Sequence, residues 1–130
     1  FGNLECSLSS RGAPVIKKYT FRGRPSYLRT LAGFAGLDVL NLANNHVGDY
    51  GVAATADTIR GVRRAGMVAV GAGLNAADAA RPRVVRRLGL SVAFVGFSDI
   101  LPLEFAAGRH RAREGEGPFA AVGREVDDES

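Results

Sequence analysis

One junction constrains this chain more than any other feature. The mostly apolar run Val39-Leu40-Asn41-Leu42-Ala43 stops at Asn44-Asn45-His46, and Gly48, Asp49 and Gly51 follow. A short apolar run bounded by turn formers reads as a strand buried on both faces. Directly after it, Gly51 to Ala65 places Val52, Ala56, Ile59 and Val62 on one helical face, and Gly66 ends the helix. A buried strand running into a helix is the first half of a βαβ unit, so the expected class is α/β. In such sheets ligands bind beyond the carboxyl ends of the strands, where Asn45 and His46 lie. An amide oxygen and an imidazole nitrogen suit a divalent metal or a phosphate ester. The same amides also suit a turn that satisfies its own backbone.

The remaining elements extend this pattern. Phe1 to Glu5 reads as the end of a strand with a polar tip. Cys6 to Arg24 is a long loop, with a short extended piece expected over Val15–Phe21, and loops of this length in compact domains often carry function. Pro25 opens a helix with Leu28, Leu31, Ala32 and Ala35 at helical spacing, closed by Gly36. Met67 to Val70 is a strand closing at Gly71-Ala72-Gly73-Leu74-Asn75. Asn75 then caps a short helix, with Asp78 in the capping-box position and Pro82 as its stop. Arg83–Leu88 and Leu90–Phe97 form a strand pair joined near Gly89. No periodicity appears after Ile100, residues 106–130 are expected to be irregular or exposed, and His110 between two arginines reads as a surface residue. The alternation implies a mostly parallel sheet with right-handed crossovers. Three polar strand tips would then share one edge: Asn3 with Glu5, Asn44 to Asp49, and Ser98 with Asp99.

Composition narrows the function classes. One cysteine, Cys6, permits no internal disulfide, so the fold rests on packing, and Cys6 reads as a packing residue rather than a nucleophile. Seventeen basic residues include only two lysines, Lys17 and Lys18, and the arginines are scattered in the manner of a solvated surface. The stretch Arg81, Arg83, Arg86, Arg87 has no interleaved aromatic residues, so no nucleic-acid partner is expected. No apolar run approaches the ~20 residues that span a bilayer. Gly71-Ala72-Gly73 lacks the third glycine and the lysine of a phosphate loop, and Ser7, Ser9 and Ser10 have no nucleophile elbow around them. The chain opens at Phe1 without an initiator methionine or a signal sequence. Residues 1–130 are therefore expected to be a single partial domain of a longer protein.

The candidate chemistry lies at the strand tips. Glu5 supplies a formal charge for a cation and Asn45 a neutral ligand. His46 is the residue type best matched to proton transfer near neutral pH. Asp49 can orient His46 or cap the helix that begins near Gly51. One His with one Glu is too few ligands for a closed metal site.

Four segments taken together, Asn3-Leu4-Glu5, Tyr19-Thr20-Phe21-Arg22-Gly23-Arg24-Pro25, Ala43-Asn44-Asn45-His46-Val47-Gly48-Asp49-Tyr50-Gly51 and Gly71-Ala72-Gly73-Leu74-Asn75, resemble the CapA family. Those are poly-γ-glutamate capsule biosynthesis proteins related to calcineurin-like metallophosphoesterases. The resemblance implies part of a four-layer αββα sandwich built from mostly parallel βαβ units. It implies a two-metal site for a divalent ion (Mn, Mg, Zn or Fe), with Glu5 as a metal-bridging carboxylate and Asn45 as a metal ligand. His46 is matched to a proton donor and Asp49 to its support. The family's upstream Gly-Asp strand end and downstream His motifs do not occur in these residues, so the resemblance implies half a site, with weak metal binding and no turnover by this chain alone. It further implies a role in making or exporting an anionic polymer at the extracytoplasmic face of the cell envelope. The membrane polymer synthase complex and the polymer itself would be the partners. A non-catalytic assembly or polymer-binding subunit is the alternative.

Overall fold

Val39, Leu40 and Leu42 are at most 3% exposed, so this stretch can only be an interior strand. The computed structural model describes residues 1–100 and the short strand Phe119–Ala120. In it, β4 (Val39–Asn41) is the middle of a three-stranded parallel sheet, between β1 (Gly2–Asn3) and β5 (Val68–Val70). The register sets Asn3 against Asn41 and Asn41 against Val70, which brings the polar ends of β1 and β4 level at one edge. The α/β class with parallel strands is the one the sequence implies.

The helix α2 (Gly51–Arg64) connects β4 to β5 and buries Ile59 and Val62 completely. These two pack with Leu8, Leu28, Leu40, Leu42 and Met67 in one apolar cluster. Burying a side chain of this size is worth roughly 1.5–3 kcal/mol, so this cluster is what fixes α2 against the sheet. Thr58 on the same face accepts a hydrogen bond from the Leu8 N–H at 2.9 Å, tying β2 (Ser7–Leu8) to the helix. The partner of β2 is β3 (Arg22–Gly23), in parallel. Between them, residues 15–21 form no strand, contrary to the sequence expectation. Their backbone groups are committed elsewhere: Val15 N–H donates to the Asp49 carbonyl at 2.9 Å, and Phe21 N–H to the Asp49 carboxylate at 2.7 Å.

The helix expected after Pro25 is shorter and wider than its periodicity suggests. It consists of α1 (Tyr27–Arg29) continued by a π-turn over Thr30–Phe34, closed by an Ala35 N–H to Thr30 carbonyl bond of 2.9 Å. Only Leu28 is buried there, against Gly61 of α2, where a Cβ would lie 2.5 Å from Leu28 Cδ1. The strand pair is present as β7 (Arg83–Arg87) and β8 (Leu90–Phe94), antiparallel, with Leu88 (φ 51) and Gly89 (φ 77) forming the two-residue turn. Its second strand ends at Phe94 rather than Phe97, and Val84, Leu90 and Val92 remain about half exposed or more. Phe94 stacks on Phe1 with ring centroids 5.5 Å apart.

Two further elements bear on the site. Gly71 has φ +77 and lies so close to β4 that a Cβ would be 2.6 Å from Ala43 Cβ and 2.9 Å from Asn41 Oδ1. The glycine thus serves close packing. It leads into β6 (Ala72–Gly73), which pairs antiparallel with β9 (Phe119–Ala120), a strand within the segment expected to be irregular. The other residues from 101 onward, His110 included, lie outside the described set. Next, α3 (Ala76–Ala80) is capped by Asn75, whose Oδ1 accepts from Asp78 N–H at 2.8 Å. Asp78 does not close a capping box. Its carboxylate accepts from Leu74 N–H (2.9 Å), Arg63 (2.7 Å) and Arg83 (2.5 Å). Burial works against ionisation of Asp78, but these donors more than offset it and hold its pKa at about 2.

Gly71→Ala should cost roughly 2–4 kcal/mol in urea unfolding, strain and overlap adding. Gly66→Ala, also at positive φ but with open space around it, should cost about 1 kcal/mol. A depressed carboxylate stabilises the fold above its ordinary pKa and loses that contribution as pH falls through its folded value. Stability should therefore decline between pH 3.8 and about 2, and Asp78→Asn should flatten that decline in acid titrations followed by circular dichroism.

Candidate functional site

Asp49 is completely buried, and the turn between β4 and α2 is built around it. Asn44 begins the turn, its Oδ1 accepting from the His46 N–H at 3.0 Å. The Asp49 N–H donates back to the His46 carbonyl at 3.2 Å. Oδ2 of Asp49 then contacts His46 Nδ1 at 2.8 Å and accepts from Phe21 N–H at 2.7 Å. Oδ1 has no directional hydrogen bond among the described residues, but it forms an ion pair with the Lys17 ammonium. The helix α2 begins from Tyr50 without a side-chain cap. Asp49 thus engages His46 and does not cap the helix. The Phe21 ring leans on the imidazole, with centroids 4.3 Å apart and planes 37° apart. No described residue hydrogen-bonds His46 Nε2.

The edge of the sheet carries a connected row of amides. Asn41 Nδ2 donates to Asn3 Oδ1 at 2.9 Å, and Asn44 Nδ2 donates to Asn3 Oδ1 at 3.2 Å and to the Leu4 carbonyl at 3.0 Å. Asn3 Nδ2 in turn donates to Glu5 Oε1 at 2.7 Å. Glu5 is exposed at the end of this row. The Asn45 main-chain carbonyl accepts from Lys17 at 2.8 Å, and its half-buried side-chain amide has no hydrogen-bond partner among the described residues. The structure therefore joins His46 directly to Asp49 and links Glu5 through Asn3 to Asn44. Among the described residues no hydrogen bond joins Glu5 to Asn45.

Ser98 and Asp99 make no hydrogen bond to that row among the described residues. They follow β8, which ends at Phe94; Asp99 is exposed, and the Ser98 hydroxyl donates to the Ile100 carbonyl at 2.8 Å. What that segment contributes is Gly96, where a Cβ would lie 2.3 Å from Asn41 Oδ1. Asn41 is thus held between Gly71 and Gly96, with its amide turned to Asn3.

Among the described residues, no three His, Cys, Asp or Glu side chains converge on one point. Glu5 and Asn45 offer two oxygen donors, fewer than a divalent ion takes. The described set therefore does not fit a complete metal centre. Cys6 is no substitute: burial, and then the charge of Asp49, push its thiol up, which disfavours the thiolate that would bind metal or attack. Sequence reasoning missed Lys17, Phe21 and Asn41. A signal for Lys17 existed, since it is one of two lysines in an arginine-rich chain and sits in the long loop. Phe21 stands within a segment that carries the family resemblance, and Asn41 is the one polar residue of the run Val39–Ala43, but neither signal names a partner.

A family model described as bacterial capsule synthesis protein PGA_cap matches residues 1–125. The chain belongs to that family. It is 42% identical over 86 residues, 66% of its length, to the capsule biosynthesis protein CapA of Bacillus anthracis. It is 39% identical over 70 residues, 53% of its length, to the PGA biosynthesis protein CapA of Bacillus subtilis (strain 168). These matches cover 20% and 18% of the two relatives, so the chain corresponds to about a fifth of either. The PGA_cap match includes the whole Asp49-centred turn and the amide row on the strand tips.

Replacing Asp49 by Asn keeps its shape and removes the charge that Lys17 faces. Losing one partner of a buried ion pair costs about 3–5 kcal/mol, and urea unfolding should show a loss of that size. Asp57→Asn breaks the partly exposed pair with Arg11, 2.5 Å long, and should cost only about 0–1 kcal/mol.

Proposed function

We propose that this chain is part of a CapA-type protein that works in the synthesis or export of a capsule polymer of the poly-γ-glutamate kind. The observation that carries this reading is the His46–Asp49 pair, at 2.8 Å, at the carboxyl end of the central parallel strand of a PGA_cap-family chain. His46 is the proton-transfer group. Asp49 holds Nδ1 and stabilises positive charge on the ring, and Nε2 is the atom that gives or takes a proton at a leaving group.

Among the described residues, Glu5 and Asn45 are the oxygen donors offered to a divalent metal (Mn, Mg, Zn or Fe), and its further ligands would come from beyond those residues. The partners of the whole protein are an anionic polymer and the membrane synthase complex that makes it. Its place is the cell envelope, on the extracytoplasmic face. No helix among the described residues is long and apolar enough to cross a membrane. Two donors without a third among the described residues favour a second reading, in which the same fold serves as a non-catalytic assembly or polymer-binding subunit.

Mn²⁺ titration of this chain should give a dissociation constant near or above about 1 mM, roughly −4 kcal/mol, and tight stoichiometric binding would overturn the half-site reading. His46→Ala in the native protein, expressed in its own host, separates the two roles. Polymer output that falls at unchanged protein level supports proton transfer. Output that is unaffected supports the assembly subunit.

A further inference from the structure

Fifteen of the seventeen basic residues are arginine. Of the two lysines, Lys18 is exposed with its ammonium 5.2 Å from the Tyr19 ring centroid. Lys17 turns inward and keeps only 13% of its side chain exposed. Its ammonium reaches three groups of a single turn: the Asn45 carbonyl at 2.8 Å, His46 Nδ1 at 3.3 Å and Asp49 Oδ1 in an ion pair. An ammonium is a compact charge with three rotatable donors, whereas a guanidinium is a flat fork. Two oxygen acceptors on different residues, with a ring nitrogen close beside them, suit the first and not the second. A chain that uses arginine almost everywhere else has lysine where geometry calls for it.

The contacts also decide the state of the ring. A carboxylate only accepts and an ammonium only donates. Nδ1 lies closer to Asp49 Oδ2, at 2.8 Å, than to Lys17, at 3.3 Å. In the neutral ring Nδ1 therefore carries the proton and donates it to Asp49, which leaves Nε2 bare. Phe21 holds the ring plane, because its own N–H is fixed on the same Oδ2.

We propose that Lys17 is a positioning residue for the Asn45–His46 pair. By gripping the Asn45 peptide and the Asp49 carboxylate together, it holds His46 as a single tautomer with Nε2 free to work. The role rests on the reading of Asn45 and His46 as working residues, but the tautomer and its dependence on Lys17 are measurable without it. Without Lys17, Oδ1 of a fully buried carboxylate faces no counter-charge among the described residues. The carboxylate must then turn, and Nδ1 loses its fixed acceptor.

Nitrogen-15 NMR of the metal-free chain tests this, at an alkaline pH where the His46 ring shift no longer changes with pH. His46→Gln distinguishes the two histidines. The wild type should show a protonated Nδ1 and a bare Nε2 at His46, and a slowly exchanging Lys17 ammonium with cross-peaks to the His46 ring. Lys17→Met should lose the single-tautomer pattern and shift the Asn45 carbonyl carbon, while Lys18→Met changes neither. Lys17→Arg keeps the charge and should still fail to restore the pattern. A wild-type ring protonated at Nε2, or a Lys17 ammonium that exchanges as fast as that of Lys18, overturns the proposal with no variant needed. An unchanged ring in Lys17→Met, or full rescue by Lys17→Arg, also overturns it, because then only packing or charge matters. No metal is present, so failure of the metal half-site in the Mn²⁺ titration leaves these outcomes unaffected, and the reverse holds too.

Discussion

Asp49 is a fully buried carboxylate, and the arrangement of the whole site follows from the need to satisfy it. Removing a carboxylate from water costs several kcal/mol unless partners replace the solvent. Here the replacements come from two stretches of chain about thirty residues apart in sequence. His46 is local to the turn, while Lys17 and Phe21 come from the long loop. Val15 N–H adds a main-chain bond to the Asp49 carbonyl. Ordering that loop costs about 1–2 kcal/mol per residue in backbone entropy, and the demand of one buried charge is what offsets part of it. The loop is therefore a wall of the site rather than a connection between strands.

The strand tips obey a second rule, that buried amides must be paired. Asn41 occupies an interior strand position that an apolar residue would normally fill. Its side chain fits because Gly71 and Gly96 leave room on its flanks and because Asn3 accepts from its amide nitrogen. The same Asn3 oxygen accepts from Asn44, and the Asn3 amide turns out to Glu5. A chain of neutral side chains thus transmits position from the rigid register of β1 and β4 to an exposed carboxylate. Of the glycines that resemble a phosphate loop on paper, Gly71 packs against this row and Gly73 against α3, where a Cβ would lie 2.3 Å from the Ala79 nitrogen.

How much was legible beforehand varied with the reach of the interaction. The β4–α2–β5 unit, the Asn75 cap and the turn at Leu88-Gly89 follow from contacts within a few residues, and their signals stand in the sequence. Asn45, His46 and Asp49 were visible as a cluster for the same reason. The two roles open to Asp49 could not be separated, because a helix cap and a histidine partner ask for the same residue at the same spacing. Residues 15–21 misled because Val15 and Phe21 have strand propensity, yet their N–H groups had better partners on Asp49. Apolarity in the hairpin continues to Phe97 while the ladder stops at Phe94, so composition overstates that strand by three residues.

By itself the sequence determined an α/β chain with parallel strands, the polar end of its central strand, and a family resemblance borne out over residues 1–125. Periodicity and turn chemistry are local, so one dimension suffices to read them. Three-dimensional packing settles that Asp49 serves His46 and that Lys17 and Phe21 complete their surroundings. Those outcomes depend on charge neutralisation and close packing between segments distant in the chain, and no spacing in the sequence encodes which distant donor reaches a buried oxygen first.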